Sequence, residues 1–246
     1  MNSDKAWKYF GEKNPYYGVL TDSHFSSDTI DKSKRQEFFA SGQLYVEELL
    51  QKIRDLYPSL ANKSMCDFGC GVGRLTLPFA DCFDNVVGVD ISPAMLAEGE
   101  KIANEIGKKN IRWVQGDDNL TQVNADFDFV HSYIVLQHIP VKRGLGLIGL
   151  LLQRIAIGGV AAIHIVHSNQ GKHLLQFIKR VPLLWYCSNI LRKRPVFEPP
   201  MQMNSYPLEK VLRIFQDSGI DQVTLDFTNH GHSGCMIIGQ KNIRDE

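Results

Sequence analysis

Two hydrophobic rhythms alternate along the chain: short β-branched runs, and longer stretches in which apolar residues recur every three or four positions. The first strong helical spacing lies between Ser41 and Tyr57, where Leu49, Ile53, Leu56 and Tyr57 recur and Pro58 stops the run. A strand at Met65 to Phe68 then enters a glycine-rich turn and a helix reaching to about Asp81. Further strands are expected at Val86 to Asp90, Ile111 to Gln115, Phe127 to His131 and Val160 to Val166. After the second strand, Ser92 is a good N-cap and Pro93 a good first helical residue. Met95, Gly99, Ile102, Ala103 and Ile106 mark one face of that helix, and Gly107 stops it. The helix after Pro140 is expected to run to about Ile157, where Gly158 and Gly159 punctuate it. Pro207 to Gln216 reads as helix, with Leu208, Val211, Leu212 and Phe215 on one face. Val223, Leu225 and Phe227 then alternate, and a last strand covers Gly234 to Gly239. Too little chain separates those two strands for a helix, so they should pair antiparallel.

The alternation predicts a doubly wound, mostly parallel α/β sheet over residues 61–246, preceded by an arm over 1–60. The first thirty residues are rich in aromatics (Trp7, Tyr9, Phe10, Tyr16, Tyr17, Phe25) with weak periodicity. They read as turns and short helical pieces that either pack on the domain or form a lid over its pocket. Gly171 to Pro200 breaks the alternation and reads as an insertion.

Composition narrows the classes. A formal net charge of +0 gives no global field for nucleic acid. Five cysteines without a Cys-x-x-Cys pair point to reduced thiols, and the first residues lack an apolar leader, so a cytoplasmic protein is expected. No run of about 18 apolar residues exists to span a membrane. The neutral total hides one local imbalance. Gly171 to Phe197 carries six bases (Lys172, Lys179, Arg180, Arg192, Lys193, Arg194) and no acid, interleaved with Leu174, Leu175, Phe177, Ile178, Trp185 and Tyr186. Three readings follow: a packed helix with solvated basic ends, a cap that shapes an acceptor pocket and draws in an anionic substrate, or peripheral membrane contact through 172–197. Pro182 would break one long helix, which favours the cap.

The chemistry gathers at Met65 to Arg74. A strand ends in Asp67 and is followed by Gly69, Gly71 and Gly73. Glycine admits positive φ and a close backbone approach, and free N–H groups at a helix start suit an anionic group. The second strand also ends in an acid, Asp90, placed to accept both ribose hydroxyls of an adenosine. A nicotinamide dinucleotide would satisfy that acid too. However, Arg74 stands where the Gly-x-Gly-x-x-Gly pattern needs its third glycine. Asp67 would repel a pyrophosphate and attract an ammonium. A ligand with adenosine at one end and a zwitterionic amino acid at the other, S-adenosylmethionine, meets both demands.

On these residues the chain resembles the class I S-adenosylmethionine-dependent methyltransferases. Asp67-Phe68-Gly69-Cys70-Gly71-Val72-Gly73 is similar to their first motif, and Val87 to Met95 to their second. Gln115-Gly116-Asp117 is similar to the third, and Phe127 to Val130 with Val135 to Ile139 to the fourth. The resemblance implies a seven-stranded Rossmann-like sheet whose last strand is antiparallel. It also implies a site in which Gly69 and Gly71 hold the methionine part and Asp90 the ribose. Ile91 and Met95 would flank adenine, and Asp117 would take its amino group. Asp67, Cys70, Gly73, Arg74, Gly116, Asp118 and Ser132 complete the expected cofactor-binding set. In the arm, Asn14-Pro15-Tyr16-Tyr17-Gly18-Val19-Leu20-Thr21 resembles bacterial methyltransferases found with glycan-assembly enzymes, which implies a sugar or glycan hydroxyl as acceptor.

A hydroxyl acceptor needs a base, and substrate should sit after strands four and five. Tyr133, His138, His164 and His167 lie there, with His138 and His167 favoured; His164 and His167 face opposite sides of one strand. His164 with His167, and His230 with His232, could be read as metal ligands, but neither pair has acids or cysteines beside it and no metal is expected. The expected function is methyl transfer to a small-molecule acceptor. The alternatives are an NAD(P)-dependent oxidoreductase and a non-catalytic cofactor-binding scaffold.

Overall fold

A computed structural model of the chain describes residues 3–168, 181–192, 194–229 and 232–242. Its centre is a seven-stranded sheet in the order β3-β2-β1-β4-β5-β7-β6. The strands are β1 (Ser64–Phe68), β2 (Asn85–Asp90), β3 (Ile111–Gln115), β4 (Phe127–Ser132), β5 (Ile155–Ser168), β6 (Val223–Asn229) and β7 (Ser233–Gln240). The pairs β1/β2, β2/β3, β1/β4 and β4/β5 are parallel, and β7 runs antiparallel to both β5 and β6. Strand order reverses between β1 and β4, so the loops leaving those strands diverge and open a crevice.

Eight helices surround the sheet among the described residues. They are α1 (Ser3–Lys13), α2 (Pro15–Leu20), α3 (Lys32–Leu56), α4 (Thr76–Phe79), α5 (Pro93–Glu105), α6 (Val141–Gln153), α7 (Pro182–Leu191) and α8 (Leu208–Asp217). Alternation along the strands divides the core. Cys66, Phe68 and Val130 face α6 and α8, whereas Met65, Val86 and Phe129 face α3 and α4. A third cluster joins Phe10, Tyr16 and Phe25 of the arm to Phe38 of α3 and Met95 of α5.

Three boundaries differ from the hydrophobic pattern. Helix α3 begins at Lys32 rather than near Ser41, because Asp31 caps it by accepting from the Lys34 N–H at 2.9 Å; Leu56, read as a core position, is exposed. The helix after the glycine loop is a single turn, α4, with Pro78 inside it. Helix α6 ends at Gln153 and β5 begins at Ile155 rather than Val160. Gly158 at φ +78° accommodates a register shift between the Phe127–Ile155 and Phe129–Val160 pairs, so the glycines mark a bulge inside the strand. Of the Gly171 to Pro200 insertion, residues 171–180 and 193 lie outside the described residues. The free cysteines agree with the reduced thiols expected.

Candidate active site

The crevice holds a cavity of about 540 Å³ above the carboxyl ends of β1, β2 and β4. Its floor is the glycine loop. The N–H groups of Gly69 and Cys70 donate to the Val89 carbonyl at 2.7 and 3.0 Å, which ties the loop to β2. Gly69 and Gly71 have φ of +79° and +54°, and a Cβ there would meet Val135 at 2.2 Å or Val19 of the arm at 2.8 Å. Glycine is thus required at both positions by conformation and by the valines packed over them, and both line the cavity.

Asp90 ends β2 at the edge of the cavity. Its carboxylate accepts from the Gly71 N–H at 3.0 Å and the Ser92 N–H at 2.8 Å, and burial pushes its pKa up to about 6. Ile91, Met95 and Gly116 line the same end. Asp117 does too; its carboxyl is held below the usual range by the Thr121 hydroxyl and by the Asn119 and Thr121 N–H groups.

Below the loop a smaller recess is lined by Asp67, Cys70, Arg74 and Tyr133. Asp67 is buried and accepts from the Thr76 hydroxyl at 2.6 Å and from His131 Nδ1 at 2.9 Å. The other His131 nitrogen lies 3.0 Å from the Tyr45 hydroxyl, and the Tyr45 ring stacks on Tyr133 at 4.3 Å. Arg74 is buried as well. Its Nη1 donates to Ser41 Oγ at 3.3 Å, while its Nε has no partner among the described residues. The recess therefore presents one acid and one incompletely satisfied cation.

The opposite end of the cavity is made by side chains. Trp7 of α1 packs on His138 with ring centroids 4.8 Å apart. His138 Nδ1 lies 2.7 Å from the Gln202 carbonyl; a carbonyl can only accept, so Nδ1 carries the proton and Nε2 is the basic nitrogen. Asn204 and Tyr206 hold the Leu136 to Ile139 turn through its carbonyls. Gly144 leaves room for that tyrosine ring, since a Cβ would meet its hydroxyl at 1.8 Å. Met201, Met203 and His232 add to the wall. Arg143 of α6 pairs with Asp4 of α1 and with Asp118, joining the arm to the loop after β3. Two β-branched residues lining the cavity, Thr21 and Ile134, have φ of +55° and +60°, an observed strain at the site.

The comparisons with known proteins meet this geometry. Residues 65–159 match the family model described as a methyltransferase domain. The magnesium-protoporphyrin O-methyltransferase of Synechocystis is 33% identical over 87 residues, 35% of this chain, so the match spans little more than a third (38%) of that relative. The ubiquinone biosynthesis O-methyltransferase of Hydrogenovibrio crunogenus is 23% identical over 167 residues, covering 67% of this chain and 68% of the relative. The solved structure of Synechocystis magnesium protoporphyrin IX methyltransferase with bound SAH superposes with a TM-score of 0.62 at 18% identity, over 98% of this chain and 100% of that one. Residues 65–159 are thus similar to a methyltransferase domain, and the sheet has the Rossmann-like fold of the class I S-adenosylmethionine-dependent methyltransferases. A nicotinamide oxidoreductase is set aside. The expectation of no nucleic-acid partner gains no support, because the relatives include a 23S rRNA methyltransferase of Halothiobacillus neapolitanus.

The residues expected around the cofactor divide into three groups. Gly69, Gly71, Asp90, Ile91, Met95, Gly116 and Asp117 line the cavity, and Asp67, Cys70 and Arg74 line the recess below it. Gly73, Asp118 and Ser132 line neither. Gly73 makes room for Trp113, which a Cβ would meet at 2.7 Å; Asp118 pairs with Arg143; Ser132 is buried in β4. Burial raises the Cys70 thiol, so it is packing material. Among the histidines, His138 lines the cavity beside Tyr133, whereas His167 lies against Phe227 of β6 with ring centroids 6.1 Å apart. His164 is buried and lies 2.8 Å from the Thr228 hydroxyl. His230 lies outside the described residues. No group of three or more metal-binding side chains occurs among the described residues. No described helix is long and apolar enough to cross a membrane.

Trp7 belongs to the aromatic arm expected to pack on the domain or cover the pocket, whereas Arg143, Met201, Met203, His131 and Tyr45 were not expected at the site. His131 alone had a local signal, an ionisable residue inside a buried strand; the others reach the site by tertiary packing.

Proposed function

We propose that the chain transfers a methyl group from S-adenosylmethionine to an oxygen of a small, largely apolar acceptor. The supporting observation is one cavity with the Gly69–Gly71 loop and Asp90 at one end and an oriented His138 at the other. The residues fit the cofactor: two loop positions admit no Cβ, and the recess offers Asp67 beside an Arg74 whose Nε lacks a partner among the described residues. When bound, S-adenosylmethionine supplies an electrophilic methyl on a sulfonium sulfur. Asp90 accepts from the ribose hydroxyls, Ile91 and Met95 flank the adenine, and Asp117 takes its amino group. Asp67 and Arg74 face the ammonium and carboxylate of the amino-acid end. Nε2 of His138 takes the proton of the acceptor hydroxyl, and Tyr133 borders both recess and cavity. Helices α1 and α2 act as the lid, excluding water and holding the reactants in line.

Trp7, Leu147, Met201 and Met203 give the acceptor end an apolar wall. Two relatives are a magnesium-protoporphyrin O-methyltransferase and a ubiquinone biosynthesis O-methyltransferase, which also supports an oxygen acceptor. A flat, apolar acceptor fits these observations better than a sugar, which rests on the arm resemblance alone. The test combines calorimetry with S-adenosylhomocysteine and transfer of labelled methyl into fractionated metabolites. Binding plus label in an apolar fraction is the expected result. Binding without label in any fraction assigns a scaffold role, and absence of binding overturns the proposal.

A further inference from the structure

Helix α7 is amphipathic in the inverted sense. Its inward face carries Trp185 and Asn189, four residues apart and both buried. Trp185 Nε1 donates to the Glu198 carbonyl at 2.7 Å, and Asn189 Nδ2 donates to the carbonyls of Val196 and Glu198 at 3.0 and 2.9 Å. The outward face carries Leu184, Cys187, Ile190 and Leu191, and the helix contains no charged residue. Leu191 is 86% exposed, Ile190 59%, and Phe197 just beyond it 74%. A surface helix ordinarily turns polar groups outward, so this face lacks a partner among the described residues.

The flanks indicate the partner's chemistry. Arg192 and Arg194 are exposed directly after the helix, Arg194 within 3.4 Å of the Glu198 carboxylate, and residues 171–197 contain six bases and no acid. Exposed leucine, isoleucine and phenylalanine beside dense positive charge complement an anionic lipid surface, where apolar groups enter the acyl boundary and cations meet phosphates. A second copy docked face to face would bring the same arginines together, which opposes that pairing.

We propose that the face formed by α7 and Phe197 docks on an anionic phospholipid bilayer. Residues 198–206 lead from this face back to the cavity, where Met201 and Met203 form part of the wall, so the docked bilayer lies beside the acceptor end. Docking stands apart from the methyl-transfer reading, since it requires neither cofactor nor acceptor.

The experiment is flotation of the full chain with phosphatidylcholine vesicles, with and without phosphatidylglycerol, at low and high salt. The expected result is flotation with the anionic vesicles and release by salt. Arg192→Gln weakens partitioning about fivefold, the factor for one basic residue at such a surface, and Arg194→Gln weakens it less because Glu198 already pairs with that cation. Leu191→Glu with Phe197→Glu abolishes flotation and leaves the melting temperature unchanged, since both side chains are exposed. Absence of flotation on anionic vesicles, or flotation unaltered in that double variant, overturns the proposal. A dimer in sedimentation that the double variant dissolves, without flotation of the parent chain, assigns the face to a second copy and equally overturns it.

Discussion

The proposed cofactor end of the cavity, with the recess below it, is made mainly from residues 67–117, joined by Val19, Tyr133 and Ile134, and it presents glycine backbone and the acids Asp67 and Asp90 near strand ends. The acceptor end is assembled from α1, α2, the turn after β4, the start of α6 and residues 198–206, and its ligand-facing groups are side chains. Backbone at a strand end is positioned by the sheet ladder, so tight adenosyl recognition needs few residues. The side-chain end depends on contacts among distant segments, such as Trp7 on His138 and Asn204 on Gln137. Its shape can therefore change through 198–206 more freely than through the arm, whose Val19 packs over Gly71 of the glycine loop. On the proposed reading, one half binds and the other selects.

The largest expected effect separates the two ends by chemistry. His138→Gln should lower kcat by roughly two to four powers of ten while leaving the calorimetric affinity for S-adenosylhomocysteine unchanged. Equal loss of affinity would show that the ends are not independent. Next in size, Asp90→Ala should weaken that affinity about 100-fold, as expected on losing charge-assisted bonds worth about 1.5–3 kcal/mol each.

The same aspartate sets a pH dependence. Burial raises its pKa to about 6, so the ionised form that accepts from ribose is lost as pH falls through that value. Below it, affinity should drop about tenfold per pH unit. Stability of the free protein follows the opposite course: the protonated Asp90 is favoured, so its contribution is full below the ordinary aspartate range and is lost as pH rises through about 6. Calorimetry and thermal melts from pH 5 to 8 check both signs, and Asp90→Asn should flatten both curves. The smallest effect tests the acceptor wall. Trp7→Ala removes an aromatic contact worth about 0.5–1.5 kcal/mol and should raise KM for the acceptor several-fold, with cofactor affinity unaltered. Steady-state kinetics on the labelled acceptor would measure it.

Legibility followed the same division. Asp67, Gly69, Gly71, Asp90 and Asp117 could be read from the chain because each sits where a short run stops and a turn begins, so sequence spacing and spatial position coincide. Gly73 and Asp118 carry the same local signals, yet one makes room for Trp113 and the other meets Arg143. Those partners lie in other elements, and no pattern around either residue announces them. His138 and His167 looked alike as histidines after consecutive strands. Only the course of residues 198–206 brings one into the cavity wall, while β6 offers Phe227 to the other.

By itself, the chain specified the alternation of strands and helices, the sheet class and the glycine-loop side of the cavity, because hydrophobic period, glycine and strand-end acids act over a few residues. Tertiary structure decided which aromatics close the cavity, which of the two favoured histidines lines it, and that α7 turns its apolar face outward. Those outcomes depend on contacts between segments far apart in sequence, whose registry is set only when the sheet and its covering helices pack together.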